Sequence, residues 1–210
     1  MHVLALNGSP KKKGNTYAAL AMVGEELQKE SITVDIVNIG SVGVRGCLAC
    51  NKCVKNQNER CVIDDEVNEW IQFMKKADGI LLGSPVHYAD ISGAMKSFLD
   101  RAFYVTSVNN RMLRHKVGGS VIAVRRSGGV SAFSTLNNYL LYQEMFLAGS
   151  NYWNVIHGTA PGEVAQDSEG RQIMRILGRN MAWLMKTVRL GRETLPVPEM
   201  EPKIFTHFVR

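Results

Sequence analysis

The chain has 210 residues, 45% of them hydrophobic, enough to build one ordinary α/β domain over residues 1–210 without disulfides or a structural metal. Its 25 Lys and Arg against 19 Asp and Glu give a net charge of +6, a balance that attracts anions in general. The basic residues are scattered, with no zinc-finger spacing or aromatic-plus-basic motif, so no nucleic-acid partner is expected. No apolar run reaches the roughly 18 residues of a membrane span, and "MHVLALNGSP" lacks a signal-peptide core, so no membrane partner and a cytoplasmic location are expected.

In chain order, "HVLALN" reads as a first, buried strand. From Asn15, "NTYAALAMVGEELQKE" places Ala18, Met22 and Leu27 toward one side of a helix ending near Lys29. "ITVDIVNIG" alternates as a second strand should, and a cysteine-rich loop follows at 45–62. "DDEVNEWIQFMKKA" carries Val67, Trp70, Ile71 and Met74 at helical spacing, with acidic residues in its first turn and lysines in its last. "DGILLGSP" is a third strand, followed by a helix from about Ile91 to Tyr104. "KVGGSVIAVRRSGG" is a fourth strand entering a basic Gly-rich loop, "VSAFSTLNNYLLYQEMFLAG" a fourth helix, "YWNVIHG" a short fifth strand and "SEGRQIMRILGRNMAWLMKTVRL" a final helix. The tail at 194–210, with Pro196, Pro198 and Pro202, is expected to be irregular and to pack on the surface or on a partner subunit.

Strands alternating with helices predict a doubly wound five-stranded parallel sheet of order 2-1-3-4-5. Ligands of such sheets bind beyond the carboxyl ends of the strands at the switch point, which singles out the loops at 8–16, 84–92 and 125–131. In the first, "NGSPKKKGNT", Gly8 and Gly14 bracket five residues and Asn15-Thr16 follows. A nucleotide P-loop needs four intervening residues and then Lys-Ser/Thr, so a triphosphate is not indicated. Ser9, Asn15, Thr16 and backbone N–H groups at a helix N-terminus suit a single phosphate dianion instead, with Lys11 to Lys13 on the rim.

All four cysteines fall within "CLACNKCVKNQNERC", as Cys47, Cys50, Cys53 and Cys61. The C-x2-C-x2-C start is the spacing of a [4Fe–4S] ligand loop. A zinc site and metal-free, redox-active thiols are the other readings of the same residues.

The motifs "NGSPKKKGNT", "DGILLGSPVHYADISGAMKSFLDR" and "RRSGG", in this order and spacing, resemble the NAD(P)H-dependent FMN reductases and iron-sulfur flavoproteins of the flavodoxin superfamily. The resemblance implies a flavodoxin-like fold, with Ser9, Lys11, Gly14, Asn15 and Thr16 holding the FMN phosphate. Pro85, Val86, His87 and Tyr88 map onto flavin contacts. The glycines of Arg125, Arg126, Ser127, Gly128 and Gly129 let the backbone approach a ring, while the arginines face the flavin edge or a nicotinamide nucleotide's phosphates. His87 is a candidate proton donor; no other side chain is expected to be catalytic, because the chemistry belongs to the flavin. The iron-sulfur flavoproteins carry a compact cysteine motif at this place.

The expected function is an FMN-dependent oxidoreductase with NAD(P)H as electron donor and a quinone, xenobiotic or protein as acceptor, working through a [4Fe–4S] cluster if the cysteines hold one. A homodimer or homotetramer is expected from the resemblance. An electron carrier without small-molecule turnover is the first alternative, though carrier flavodoxins are typically acidic. A zinc-stabilised regulator is the second.

Overall fold

The computed structural model describes residues 1–206 and Phe208; His207, Val209 and Arg210, the end of the predicted tail, lie outside the described residues. The strands are β1 (His2–Asn7), β2 (Thr33–Asn38), β3 (Gly79–His87), β4 (Asp90–Ile91), β5 (Val117–Val124), β6 (Phe146–Leu147) and β7 (Val155–His157). The helices are α1 (Asn15–Lys29), α2 (Lys52–Asn56), α3 (Val67–Lys76), α4 (Gly93–Val108), α5 (Gly129–Tyr142) and α6 (Ser168–Thr194).

The sheet runs β2-β1-β3-β5-β6, with β7 also pairing β5. Since β6 and β7 pair different stretches of the same β5 edge, they are the two halves of one interrupted fifth strand, and the predicted doubly wound order holds. Where the edge is interrupted, buried Asn154 donates its amide to Ser120 O at 3.0 Å and so replaces part of the missing ladder.

Successive residues of β1 face opposite sides. Leu4 and Leu6 pack with Trp70, Ile71 and Met74 of α3, Phe98 of α4 and Leu136 of α5. Val3 and Ala5 pack with Leu20 and Val23 of α1 and Leu177 and Met181 of α6. All of β5 is buried, as a central parallel strand covered on both faces must be. On the second face α1 and α6 approach closely at Gly178, where a Cβ would stand 2.7 Å from Val23 O.

Three elements differ from the expected ones. The fourth helix ends at Tyr142 rather than near Gly149. Gln143, 1% exposed, donates to Phe103 O (2.8 Å) and Ser107 Oγ (2.6 Å), and Glu144 turns with φ 57°, sending Phe146–Leu147 into the sheet. The helix after β3 begins at Gly93, capped by Ser92 Oγ accepting from Met95 N, because Asp90–Ile91 first pair antiparallel with Val86–His87. Within the cysteine loop, α2 is a short helix that the pattern did not suggest. The tail folds back on its own chain: Arg114 Nη2 donates to Pro198 O (2.9 Å) and Glu199 O (3.1 Å), and Lys203 Nζ to Tyr142 Oη (2.8 Å).

Candidate functional site: three loops and a cysteine cavity

Beyond β1 the chain is held as a rigid arch. Asn7 Oδ1 accepts from Ser9 N at 3.0 Å, Asn7 Nδ2 donates to Lys12 O at 3.3 Å, and Asn38 Nδ2 donates to Ser9 O at 2.9 Å. Gly40 passes so near that a Cβ would lie 2.2 Å from Gly8 O. The arch delivers the chain to α1, whose N-cap, Gly14, offers no side-chain acceptor, leaving the first-turn N–H groups without a side-chain cap. Ser9 and Thr16 are buried there, and Lys11, Lys12 and Lys13 are exposed on the rim. This donor set suits a phosphate dianion.

Asn15 departs from its expected role. Its Nδ2 donates to Ala160 O at 2.9 Å and its Oδ1 accepts from Gly162 N at 2.8 Å, so the carboxamide fastens the loop after β7. Its backbone N–H and the second Nδ2 proton remain for an anion.

The second loop is tied to the first. Gly8 N donates to Gly83 O at 2.8 Å, and buried Ser92 Oγ donates to Gly8 O at 2.7 Å. Ser84 Oγ accepts from Ser92 N at 3.0 Å, which closes the β3–β4 hairpin behind Pro85, Val86 and His87. At its tip Tyr88 has φ 57° and is fully exposed, a strained conformation for an aromatic residue with no packing of its own to compensate. The third loop meets the second at Gly128, whose φ of 86° requires glycine and whose added Cβ would stand 3.1 Å from Val86 Cγ1. Arg125, Arg126 and Ser127 are exposed, and buried Gly129 opens α5. The three loops therefore form one continuous rim, with phosphate donors at one end and approachable backbone at the other, which fits FMN. A cavity of about 340 Å³ lined by Arg126, Gly128, Tyr152, Trp153 and His157 lies beside the third loop and is bordered by neither of the other two.

The cysteine loop is fastened to α3 and α4. Asn68 Oδ1 accepts from Cys61 N at 2.7 Å, and its Nδ2 donates to Cys61 O and Ile63 O. Gln57 Nε2 donates to Val108 O at 3.0 Å, and Glu59 N to Asn109 Oδ1 at 2.9 Å. Ala49, Asn51, Gln57 and Glu59 all have positive φ, winding the segment tightly. Cys47, Cys50, Cys53 and Cys61 line one small cavity together with Arg101 and Tyr104, the first two cysteines exposed and Cys53 buried. Burial pushes the Cys53 thiol up. Among the described residues no three His, Cys, Asp or Glu side chains converge as ligands of a single ion. A cubane has its irons at separate corners, so its thiolates surround a volume rather than one point. Four thiols lining one cavity are the donor set such a group takes, and Arg101, whose buried Nε has no hydrogen-bond partner among the described residues, lines the same cavity.

Several of these residues gave no signal as isolated motifs. Asn7, Asn38 and Ser92 act through backbone contacts across 2 to 84 positions of sequence. Arg101 did leave a trace: it lies at helical spacing between Phe98 and Val105 on the apolar face of α4, an unusual place for a charge.

The doubly wound sheet, with its ligand loops at the switch point, defines the flavodoxin-like class. Among solved structures, the chain is similar to an NAD(P)H:quinone oxidoreductase from Methanothermobacter marburgensis, with a TM-score of 0.65 and 18% identity over 86% of this chain and 96% of that one. It is similar also to a flavodoxin from the domain Archaea, at TM-score 0.60 and 16% identity over 89% of this chain and 99% of that one. Within that class, the chain belongs to the NADPH-dependent FMN reductase family, whose model matches residues 1–160. An iron-sulfur flavoprotein of Methanocaldococcus jannaschii is 31% identical over 196 residues, 90% of this chain and 100% of that protein. Family membership makes the chain an FMN-dependent oxidoreductase. No helix among the described residues is long and apolar enough to cross a membrane.

Proposed function

We propose that this protein oxidises NADH or NADPH on FMN and passes the electrons to a quinone, a xenobiotic or a protein acceptor, with a [4Fe–4S] cluster at Cys47, Cys50, Cys53 and Cys61. The observation that carries the flavin part is the linkage of three loops at the switch point: Gly8 to Gly83 and Ser92, and Gly128 to Val86. Ser9, Thr16 and the first-turn N–H groups of α1 hold the phosphate, and Lys11 to Lys13 attract it. Backbone groups of Pro85–Tyr88 and Ser127–Gly129 orient the ring. FMN supplies hydride acceptance and electron release when bound. His87 is exposed beside the hairpin and is available to deliver a proton to an acceptor.

The cluster assignment rests on the shared cavity of the four cysteines and on the similarity to an iron-sulfur flavoprotein. A homodimer or homotetramer follows from the same reading, because the unpacked Tyr88 on the flavin rim suits a contact with a second copy. The test is an anaerobic absorption spectrum with iron and sulfide analysis, followed by NAD(P)H oxidation with a quinone. Flavin bands, about four irons per chain and turnover are expected. Flavin without iron removes the cluster; absence of turnover with either nucleotide removes the reductase.

A further inference from the structure

Arg101 lies on α4 with its side chain wholly buried. Its Nη1 donates to Asp65 Oδ2 at 2.7 Å and Arg45 O at 3.1 Å, and its Nη2 to Asp65 Oδ1 at 2.8 Å and Ile63 O at 3.3 Å. Asp65 in turn accepts from Val67 N at the start of α3, so the fork is fixed from both sides. One donor is left over. Nε is buried and has no hydrogen-bond partner among the described residues.

A bidentate pair with Asp65 would be complete as an anchor without this atom. Buried N–H groups are rarely left unmatched, because the loss of their hydration is not repaid. The side chain lines the same cavity as all four cysteines, and Cys61 lies close enough to the guanidinium to act on its charge. Cys61 itself is fixed by Asn68. A cubane held by four thiolates is net anionic, and its reduction adds one more negative charge. Hydrogen bonds to its sulfurs and nearby positive charge both ease that step.

We propose that Arg101 is a positioning residue for the cysteine-bound cluster, giving it an Nε–H donor and a buried positive charge that raise its reduction potential. The proposal rests on the cluster reading above. Asp65 sets the strength of the effect: its carboxylate aims the fork and offsets part of the charge. The reduction concerned takes one electron from the flavin, or from dithionite in a titration, and no proton.

The experiment is an anaerobic dithionite titration of the holoprotein followed by electron paramagnetic resonance, on wild type, Arg101→Gln, Arg101→Lys and Asp65→Asn, with iron and sulfide counted in each. Arg101→Gln should lower the equilibrium constant for reduction at least about tenfold, or about 59 mV for a one-electron couple. Arg101→Lys should fall between it and wild type. Asp65→Asn, which keeps the guanidinium and removes its counter-charge, should move the constant the opposite way. Wild type with flavin but no iron overturns the cluster reading and this proposal with it. Wild type with iron, but with Arg101→Gln unshifted, overturns the proposal alone. Arg101→Gln and Asp65→Asn shifting together, or all three variants losing iron, would leave Arg101 a scaffold of the loop and likewise overturn it.

Discussion

Thr16→Ala isolates the proposed phosphate contact. Thr16 is 1% exposed in the first turn of α1, and its hydroxyl makes no hydrogen bond to another described residue. A hydrogen bond to a charged group contributes about 1.5–3 kcal/mol, so its loss should weaken FMN binding about 10- to 150-fold. Ser9 and the first-turn N–H groups remain, so binding should not vanish. Thr16→Ser keeps the oxygen and loses only the methyl group, and should retain most of the affinity. The assay is fluorescence titration of apoprotein with FMN and, in parallel, with riboflavin, which has the same ring and no phosphate. The alanine variant should lose affinity for FMN while binding riboflavin nearly as wild type does. Equal losses for both ligands, or none for FMN, would refute the assignment of α1's first turn to the phosphate.

Asn15→Ala should act on stability before binding. Two hydrogen bonds to Ala160 and Gly162 disappear, each worth about 1 kcal/mol net, and urea denaturation should show a loss of about 1–2 kcal/mol with a smaller effect on FMN affinity than Thr16→Ala. Glu26, 4% exposed, pairs with Lys29 of its own helix (2.6 Å) and joins α1 to α6 through Arg179 (2.8 Å). Hydrogen bonds from Lys29 and then Arg179 hold its carboxyl below the usual carboxylate range, against burial. A folded pKa below the unfolded value of about 4.3 means that this stabilisation is complete above the unfolded value and is lost as the pH falls through the folded one. Denaturation midpoints measured from pH 7 down to pH 3 should therefore fall less steeply for Glu26→Gln than for wild type; parallel curves would exclude the linkage.

Element type is largely a local property and was legible, and the alternation of strands with helices carried the strand order with it. Continuous apolar runs such as "HVLAL" and "GILL" can only be strands buried on both faces or helix cores, and their short length with flanking Gly decides for strands. The Gly8-to-Gly14 spacing already pointed away from a triphosphate loop. The end of α5 was not legible, because "YQEMFLAG" keeps a helix-compatible pattern and only Gln143's bonds to α4 turn the chain away.

The same division runs through the sites. Cysteine spacing by itself gathered the four thiols in one segment, since residues three apart in one loop can line one cavity. What surrounds those sulfurs came from elsewhere in the chain: Asp65 from the start of α3 and Arg101 from the buried face of α4. Likewise "GNT" announced a donor cluster, but only the packed loop after β7 decided that the Asn15 carboxamide bonds Ala160 and Gly162. Sequence periodicity records which side of an element is buried. Which partner a buried polar group meets depends on where distant segments cross, and that is decided by the tertiary fold alone.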